Sequence, residues 1–215
     1  MKPGATTPSS ATRPSATRPS ATRPSIARPT REAAMEAVRT LLAFAGDDPA
    51  REGLIDTPKR VVEAYQEFFA GYDMDPLAEL SRTFEDVSGY DDMVMLRDID
   101  VESHCEHHMV AILGKAHVAY MPTDRVVGIS KIARVVEIFA KRLQTQETMT
   151  AQIADCMTQA LEPAGVAILV DAKHQCMTTR GIHHKNVATV TTTFSGVFKT
   201  DKELRERFMR LAGYA

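Results

Sequence analysis

The sequence predicts an α+β protein in which an antiparallel sheet follows a set of N-terminal helices. Helical periodicity marks residues 31–69, whereas residues 93–121 carry the two-residue alternation that is typical of strands. Two further helical segments then separate these strands from two more strands near the C-terminus. This order lacks the regular βαβ alternation of a parallel sheet, so we expect an antiparallel sheet with two helices on one face.

We expect three parts along the 215-residue chain. Residues 1–30 form a tail, residues 31–90 form a helical segment, and residues 91–215 form the main domain. No apolar run approaches the length of about 18 residues that a membrane span needs, so no membrane association is predicted. The three cysteines are an odd number, which argues against a disulfide framework and favours a reducing compartment such as the cytoplasm.

The tail is a separate object with its own composition. Ala-Thr-Arg-Pro-Ser occurs three times, at 11–15, 16–20 and 21–25, and proline at every fifth residue forbids a continuous helix. We therefore predict that this tail is disordered. Residues 1–31 carry six cations and no acid, which leaves a net charge of −8 for residues 32–215 because the whole chain is −2. A body this acidic is a poor candidate for nucleic-acid binding.

Capping signals set the expected helices in the N-terminal part. Thr30 is the predicted cap of a helix that Gly46 ends. Thr57 is the predicted cap of a second helix with Pro58 at its first position, and Gly71 is expected to end it. The connection that follows is polar, with one helical turn expected at Pro76–Leu80.

The main domain is expected to contain the sheet and its two covering helices. The predicted strands are 93–101, two short strands within 109–121 hinged at Leu113–Lys115, 166–172 and 188–198; the predicted helices begin at Ser130, Thr145 and Lys202 and end at Lys141, Leu161 and Leu211. Cys156 lies within the second of these helices and is interpreted as a small buried apolar residue.

The chemistry is concentrated in residues 102–108, which hold one thiol, three imidazoles and two carboxylates. Cys105 and His108 stand in a C-x-x-H spacing that lets one tight turn present both donors to one metal ion. Cys176 offers a second thiol far downstream. Three protein ligands with one open position are typical of a catalytic zinc site.

Two other interpretations of these residues remain open on spacing alone. The site could be a closed structural centre with His104, His107 or His174 as its fourth ligand, or the loop could hold no metal. A second feature is the pair Lys131 and Arg134, which share a face at a helix start and suit an anion such as phosphate. Two charges in isolation also fit a solvated basic edge.

Beyond these local patterns, the chain resembles type I GTP cyclohydrolases from about residue 32 to the C-terminus. The resemblance rests on an ordered set of motifs: Asp-Thr-Pro-Lys-Arg at 56–60, Cys-Glu-His-His at 105–108, Gly-Lys-Ala at 114–116, Gly-Ile-Ser-Lys-Ile at 128–132 with Arg134, Gln-Glu at 146–147, Asp-Ala-Lys-His at 171–174 with Cys176, and Arg-Gly-Ile at 180–182. The resemblance leaves out the tail. Leu143 stands where many relatives have proline, and the pair His183-His184 is unusual for the family and has no assigned role.

The resemblance implies conversion of GTP to 7,8-dihydroneopterin triphosphate and formate, the first step of pterin and folate synthesis. Zinc held by Cys105, His108 and Cys176 would activate water for attack on C8 of guanine. His107 is placed like the family residue that protonates the base, and His174 like the one that helps to open the ribose. Glu106 is expected to support them.

The resemblance also implies how the substrate is held. Glu147 is expected to accept from the two guanine donors, with Gln146 beside it. The remaining contacts, to the ribose and the triphosphate, are expected from Ser130, Lys131, Arg134, Arg180 and Arg60.

The fold that the resemblance implies is the tunnelling fold, in which the sheets of several subunits join edge to edge into a barrel. Two such rings are expected to stack into a homodecamer with active sites between subunits. Two alternatives stay open: a related pterin or deazapurine enzyme of the same fold, which would lack the Cys105, His108 and Cys176 set, and a non-catalytic GTP-binding scaffold, which would be expected to lack His107 or His174.

Overall fold

The structure is a computed structural model that describes residues 27–84 and 92–214. The predicted disordered repeats lie outside the described residues, as does much of the connection before residue 92. Within the last residues of the expected tail, Arg28 donates two hydrogen bonds of 2.9 and 2.8 Å to the carboxylate of Asp73. No helix in the described part of the chain is long and apolar enough to cross a membrane.

The described elements confirm an α+β architecture. The helices are α1 (Arg31–Phe44), α2 (Thr57–Phe68), α3 (Pro76–Leu80), α4 (Ile129–Ala140), α5 (Gln146–Leu161), α6 (Gln175–Thr178), α7 (Val197–Thr200) and α8 (Lys202–Leu211). The strands are β1 (Thr83–Phe84), β2 (Val94–Cys105), β3 (Ala111–Met121), β4 (Val126–Val127), β5 (Leu143–Gln144), β6 (Gly165–His174) and β7 (Thr189–Phe194). Short 3-10 helices occupy Glu52–Leu54 and Ala70–Asp73.

The main sheet has five strands in the order β5-β2-β3-β6-β7. All neighbours in it are antiparallel except the short β5, which runs parallel to the end of β2. Strands β1 and β4 form a separate two-stranded ribbon. The expected antiparallel sheet is therefore confirmed.

The hairpin predicted within residues 109–121 is wrong. Residues 111–121 form one continuous strand, and Gly114 lies in its middle. This position needs glycine because a Cβ there would come within 2.1 Å of the Asp171 carbonyl oxygen on β6. The glycine thus marks a close approach between strands, which a sequence pattern does not distinguish from a turn.

The turn lies instead at residues 106–110, inside the predicted metal loop. The amide of Cys105 donates to the carbonyl of Val110, and the amide of Met109 donates back to the carbonyl of Cys105. Met109 adopts a φ of 53°, a left-handed conformation that tightens the turn. The loop expected to carry the chemistry is therefore the connection of a β-hairpin.

Helices α4 and α5 cover one face of the sheet and form the main core with it. Their inward side chains are fully buried, among them Ile132, Val135, Met149 and Ile153. The predicted caps are partly corrected. Thr145 does cap α5, since its hydroxyl accepts from the amide of Thr148, whereas α4 has Gly128 at its cap position and Ser130 lies inside its first turn. Likewise, Thr57 is the first residue of α2, and Asp56 precedes it.

The opposite face of the sheet is covered near its centre by the C-terminal helices. Phe198 of α7 and Phe208 of α8 pack on Ala119, Ala167 and Leu169. After α8 the chain turns back, and the hydroxyl of Tyr214 donates to the carboxylate of Asp171. The sheet is therefore covered on both faces, by α4 and α5 on one side and by α7 and α8 on the other.

The N-terminal segment contacts both ends of α4: Glu79 of α3 meets Lys131, and Gly71 meets Lys141. Helix α1 has no buried residue, and Leu41 and Phe44 on it are exposed. Gly71 makes the closest approach, because a Cβ there would lie 2.0 Å from the carbonyl oxygen of Ile138 on α4. The carbonyl of Gly71 also accepts from Nε of Arg142 at 2.9 Å. These contacts join the segment after α2 to the C-terminal end of α4.

Candidate metal centre and surrounding site

The register of three strands assembles the candidate metal site. The hairpin of β2 and β3 places Cys105 at the end of the sheet, and on β6 His174 lies opposite Ile112 of β3. Cys176 follows in the first turn of α6. Cys105, His108 and Cys176 are thereby brought together across about 70 residues of sequence, with their ligand atoms all within 4.8 Å of one another.

The distances within this group suit one small metal ion. Sγ of Cys105 lies 3.8 Å from Nδ1 of His108. Zinc–sulfur and zinc–nitrogen bonds at a tetrahedral angle would separate the same atoms by about 3.5 Å. Among the described residues, these three form the one group of histidine, cysteine or carboxylate side chains able to hold a metal ion. His183 and His184, in an exposed loop, do not belong to it.

Without a metal, the thiol of Cys176 favours its protonated form. Burial raises the pKa of Cys176, and the neighbouring Cys105 raises it further. The pKa of Cys156 rises to about 12 because its thiol is buried in the core. A metal ion at the site must displace thiol protons from Cys105 and Cys176, whereas nothing draws the Cys156 proton away.

His108 has a second polar neighbour, Arg180. Nη1 of Arg180 lies 2.8 Å from Nε2 of His108. Arginine can only donate, so Nε2 accepts and Nδ1 carries the proton on the side of Cys105. A metal on Nδ1 requires the other tautomer, with the proton on Nε2. A metal ion held by Nδ1 would therefore require His108 to give up its contact with Arg180.

His107 and Glu106 lie at the tip of the hairpin and face solvent. Nε2 of His107 is 3.9 Å from the carboxylate of Glu106, an exposed and weak ion pair. The amide of Glu106 donates to the carbonyl of Gln144 on β5, which fixes the backbone of the turn. Both side chains are free to meet a ligand beside the metal group.

His174 is partly buried, and its ring is hydrogen-bonded to a buried side chain, that of Gln146. Burial lowers the pKa of His174, and the nearby carboxylate of Glu147 opposes this shift. Nε2 of His174 lies 2.8 Å from Oε1 of Gln146. Glu147 itself is exposed in the first turn of α5. The structure therefore brings Glu147, His174 and the metal group to the same end of the sheet.

Gln146 corrects one expectation. It was expected to contact a substrate beside Glu147, but it is fully buried, and both ends of its side-chain amide are bonded within the chain. Successive helical residues point about 100° apart, so Glu147 faces outward while Gln146 faces the sheet. The side chain of Gln146 supports the site from behind.

The expected phosphate-binding residues of α4 lie away from the metal group, unlike Arg180. Ser130, Lys131 and Arg134 occupy the first half of α4, whose other end leads into β5 beside Cys105. This helix has 12 residues, so its ends lie about 18 Å apart at 1.5 Å per residue. Ser130 and Arg134 line a groove of about 390 Å³ between α4 and β2. One chain does not bring these residues to the metal group.

The expected phosphate-binding cations are all engaged in this structure. Lys131 donates to Glu79 of α3 at 2.8 Å, and the contact lowers the pKa of Glu79. Arg134 pairs with Glu137 at 3.0 Å. Arg60 lies 3.4 Å from Asp56 on the exposed start of α2. An anionic ligand at these positions must compete with the carboxylates.

Two contacts around the site were not predicted from the sequence. Glu79 meets Lys131 across 52 residues, and Phe68 of α2 stacks on His104 with ring centroids 4.7 Å apart. Both join segments distant in sequence, and no motif connects them. The stacked ring ties the N-terminal helices to the strand that carries Cys105.

Comparisons with known proteins agree on one family. A family model described as GTP cyclohydrolase I matches residues 34–213. A protein named GTP cyclohydrolase 1 from Maricaulis maris is 72% identical over 182 residues, which is 85% of this chain and 89% of the relative. Proteins of the same name from Hyphomonas neptunium and Allorhizobium ampelinum are 67% and 61% identical, with 86% and 85% of this chain and 89% and 90% of the relatives covered. A solved archaeosine synthase QueF-like structure overlaps 48% of this chain and 93% of its own at 18% identity and a TM-score of 0.39, too distant to support an argument.

The geometry predicts which cysteines hold a metal ion. The wild-type protein should bind about one divalent transition metal ion per chain, and Cys105→Ser and Cys176→Ser should lose it because each removes one of three ligands. Cys156→Ala is the matched control, since that thiol lies in the core. The measurement is elemental analysis together with the thiolate-to-cobalt absorption on titration with Co²⁺. A full metal equivalent in Cys105→Ser would remove this residue from the site.

Proposed function

This chain belongs to the GTP cyclohydrolase I family, and we propose that it uses zinc to convert GTP to 7,8-dihydroneopterin triphosphate and formate. The reaction opens the synthesis of pterins and folates. The observation that carries the proposal is the convergence of Cys105, His108 and Cys176 with His174 at one end of the sheet. The free cysteines of the described chain suit a reducing compartment, and we place the enzyme in the cytoplasm.

The metal ligands proposed are Cys105, His108 and Cys176. Two thiolates and one imidazole favour zinc over harder ions such as magnesium, and three protein ligands leave a position open. When bound in such a site, zinc acts as a Lewis acid and lowers the pKa of water so that hydrolysis proceeds near neutral pH. The rest of the mechanism falls to side chains of this chain.

Proton transfer is assigned to His107 and His174. Ring opening of guanine and rearrangement of the ribose both need groups that exchange protons near pH 7, and imidazole does so. His107 is exposed at the hairpin tip, where it can reach a base held above the metal group. His174 is partly buried, and its lowered pKa favours the neutral form that accepts a proton. Glu106 is assigned the supporting role of orienting His107.

Guanine selectivity is assigned to Glu147. Its carboxylate lies exposed at the start of α5, close enough to His174 to influence the pKa of that imidazole. A carboxylate can accept from N1–H and the exocyclic amine of guanine together, and adenine offers no such pair of donors. Gln146 contributes no side-chain contact to the base because its amide is bonded inside the chain.

The triphosphate is assigned to Lys131, Arg134, Arg180 and Arg60, with Ser130 near the ribose. Since Lys131 lies about one helix length from the metal group of its own chain, we propose that α4 of a second chain completes each site. This arrangement supports a homo-oligomer built on the tunnelling fold, in which sheet edges join between subunits, and the family resemblance suggests a decamer. Within the described chain, β7 pairs only with β6 and leaves its outer edge open to such joining.

The reaction itself is tested by incubating the zinc-loaded protein with GTP. We expect equal amounts of formate and of a pterin that becomes fluorescent on oxidation, and no turnover of ATP. His107→Ala and His174→Ala should lower turnover by about 10²–10⁴-fold while keeping the metal, because they remove proton-transfer groups and not ligands. A metal-loaded wild-type protein that releases no formate from GTP would refute the function and favour a GTP-binding scaffold.

Glu147→Gln tests the assignment of base selectivity. The amide keeps the size of the side chain but cannot accept at both guanine donors, so kcat/KM for GTP should fall by at least about 100-fold. Loss of a helix-terminus charge by itself should change the free energy of unfolding by less than about 1 kcal/mol. Asp155→Asn, an exposed acid on the same helix, is the matched control. Turnover of GTP by Glu147→Gln at the wild-type rate and KM would exclude Glu147 from the site.

Co-expression of two inactive chains tests whether the site is shared. Lys131→Ala and His107→Ala lie in different halves of the proposed site, so mixed oligomers should regain activity in about one quarter of their sites, those in which both halves are intact. The pair His107→Ala with His174→Ala is the control. Both histidines lie in the same half of the site, so every site in these mixed oligomers lacks one of them. Purification through two different tags followed by the formate assay measures the outcome. If the first pair regains no activity, each site is built from one chain.

A further inference from the structure

Gln146 is a fully buried polar side chain behind His174. It begins α5, and its side chain reaches the middle of β6 and the start of β7. Its amide nitrogen lies 3.0 Å from the carbonyl oxygen of Val170 and 2.8 Å from that of Thr189. It also lies 3.2 Å from the hydroxyl of Thr191. The amide oxygen lies 2.8 Å from Nε2 of His174.

The orientation of this amide is fixed by its neighbours. Backbone carbonyls only accept, so the group facing Val170 and Thr189 must be the NH₂ donor. A flipped amide would set its oxygen against two carbonyl oxygens in a buried site, where unpaired polar groups are costly. The oxygen of Gln146 is therefore the atom that faces His174.

A chain of hydroxyl groups supports the same orientation. The hydroxyl of Thr150 donates to the backbone carbonyl of Gln146 at 2.7 Å, which uses its single proton. In the 2.7 Å contact between Thr150 and Thr191, the proton must then come from Thr191. Thr191 therefore has no proton left to donate toward Gln146, so the group 3.2 Å from its hydroxyl is the NH₂, whose two protons are shared among this hydroxyl and the two shorter carbonyl contacts.

An amide oxygen accepts and cannot donate, so the proton of the contact belongs to His174. We propose that Gln146 is a positioning residue that fixes the ring of His174 in the tautomer whose Nε2–H donates to the Gln146 amide oxygen. This inference deepens the proposed function and rests on the role of His174 in proton transfer.

The arrangement has a consequence for the catalytic step. The bond from Nε2 to Gln146 holds the ring in one orientation, so its other nitrogen keeps one position relative to the site. This is how a partner behind a histidine improves proton transfer without touching the substrate.

A purely structural role for Gln146 gives different results. The amide joins α5 to β6 and β7, so its loss also costs stability. Gln146→Met keeps the approximate size but removes both the donor and the acceptor. Thr191→Val is the matched control, because it weakens the same buried network yet leaves the contact of Gln146 with His174 in place.

The first measurement is the ring tautomer of His174, taken by ¹⁵N solid-state NMR on the zinc-loaded protein labelled at its histidine rings. At about pH 8, where an ordinary imidazole is neutral, we expect wild type and Thr191→Val to show the proton on Nε2. His174→Asn identifies the signal. In Gln146→Met the signal should shift to a mixture of tautomers. A wild-type ring protonated on Nδ1 would overturn the proposal, and this result does not depend on whether Gln146→Met folds.

The second measurement separates kcat from KM for GTP. Gln146→Met should lower kcat by about 10–100-fold, as is typical for partners that orient an active-site group, with KM and metal content near those of wild type. Thr191→Val should keep most of kcat. An unchanged kcat in Gln146→Met would also overturn the proposal. If the wild-type protein does not turn over GTP at all, the proposed function fails, whereas the NMR result still decides the tautomer.

Discussion

The candidate site depends on the register of β3 with its two neighbours. Antiparallel pairing with β2 makes residues 106–110 a tight turn, and pairing with β6 sets His174 opposite Ile112. A shift of one residue in either register would turn alternate side chains to the other face of the sheet. Cys105 and Cys176 meet only in the observed register. This register requires glycine at position 114, because only a residue without a Cβ permits the close approach of β3 and β6.

Burial then divides the polar groups of the site by task. Burial and the neighbouring Cys105 raise the pKa of Cys176, so this thiol keeps its proton until a metal ion displaces it. His174 is partly buried and kept neutral, while His107 and Glu147 stay in contact with solvent at the surface of the site. Hydrogen bonds behind the site, above all that of Gln146, orient groups that burial alone would leave free to rotate.

The basic residues of α4 are paired with carboxylates at the protein surface. Lys131 and Arg134 are neutralised by Glu79 and Glu137, in a body that is acidic outside its N-terminal residues. Such pairing lowers the affinity for stray anions, since a ligand must displace a carboxylate. A triphosphate carries enough charge to do so, and contacts from a second chain would add to it. The separation of this corner from the metal group explains why the functional unit is expected to exceed one chain.

The sequence by itself determined the α+β class, most helix bounds and the identity of the three metal-ligand candidates. These features follow from local patterns: α8 from its amphipathic period, α3 from Pro76, and the pair Cys105 and His108 from the spacing of one tight turn. The tertiary structure decided what depends on close approach between distant segments. Gly114 was interpreted as a turn because its neighbour β6 lies 57 residues away, and Gln146 was assigned to the substrate because adjacency to Glu147 in sequence hides their opposite directions on a helix. Packing and hydrogen-bond direction are properties of pairs of segments, and a single stretch of sequence does not contain them.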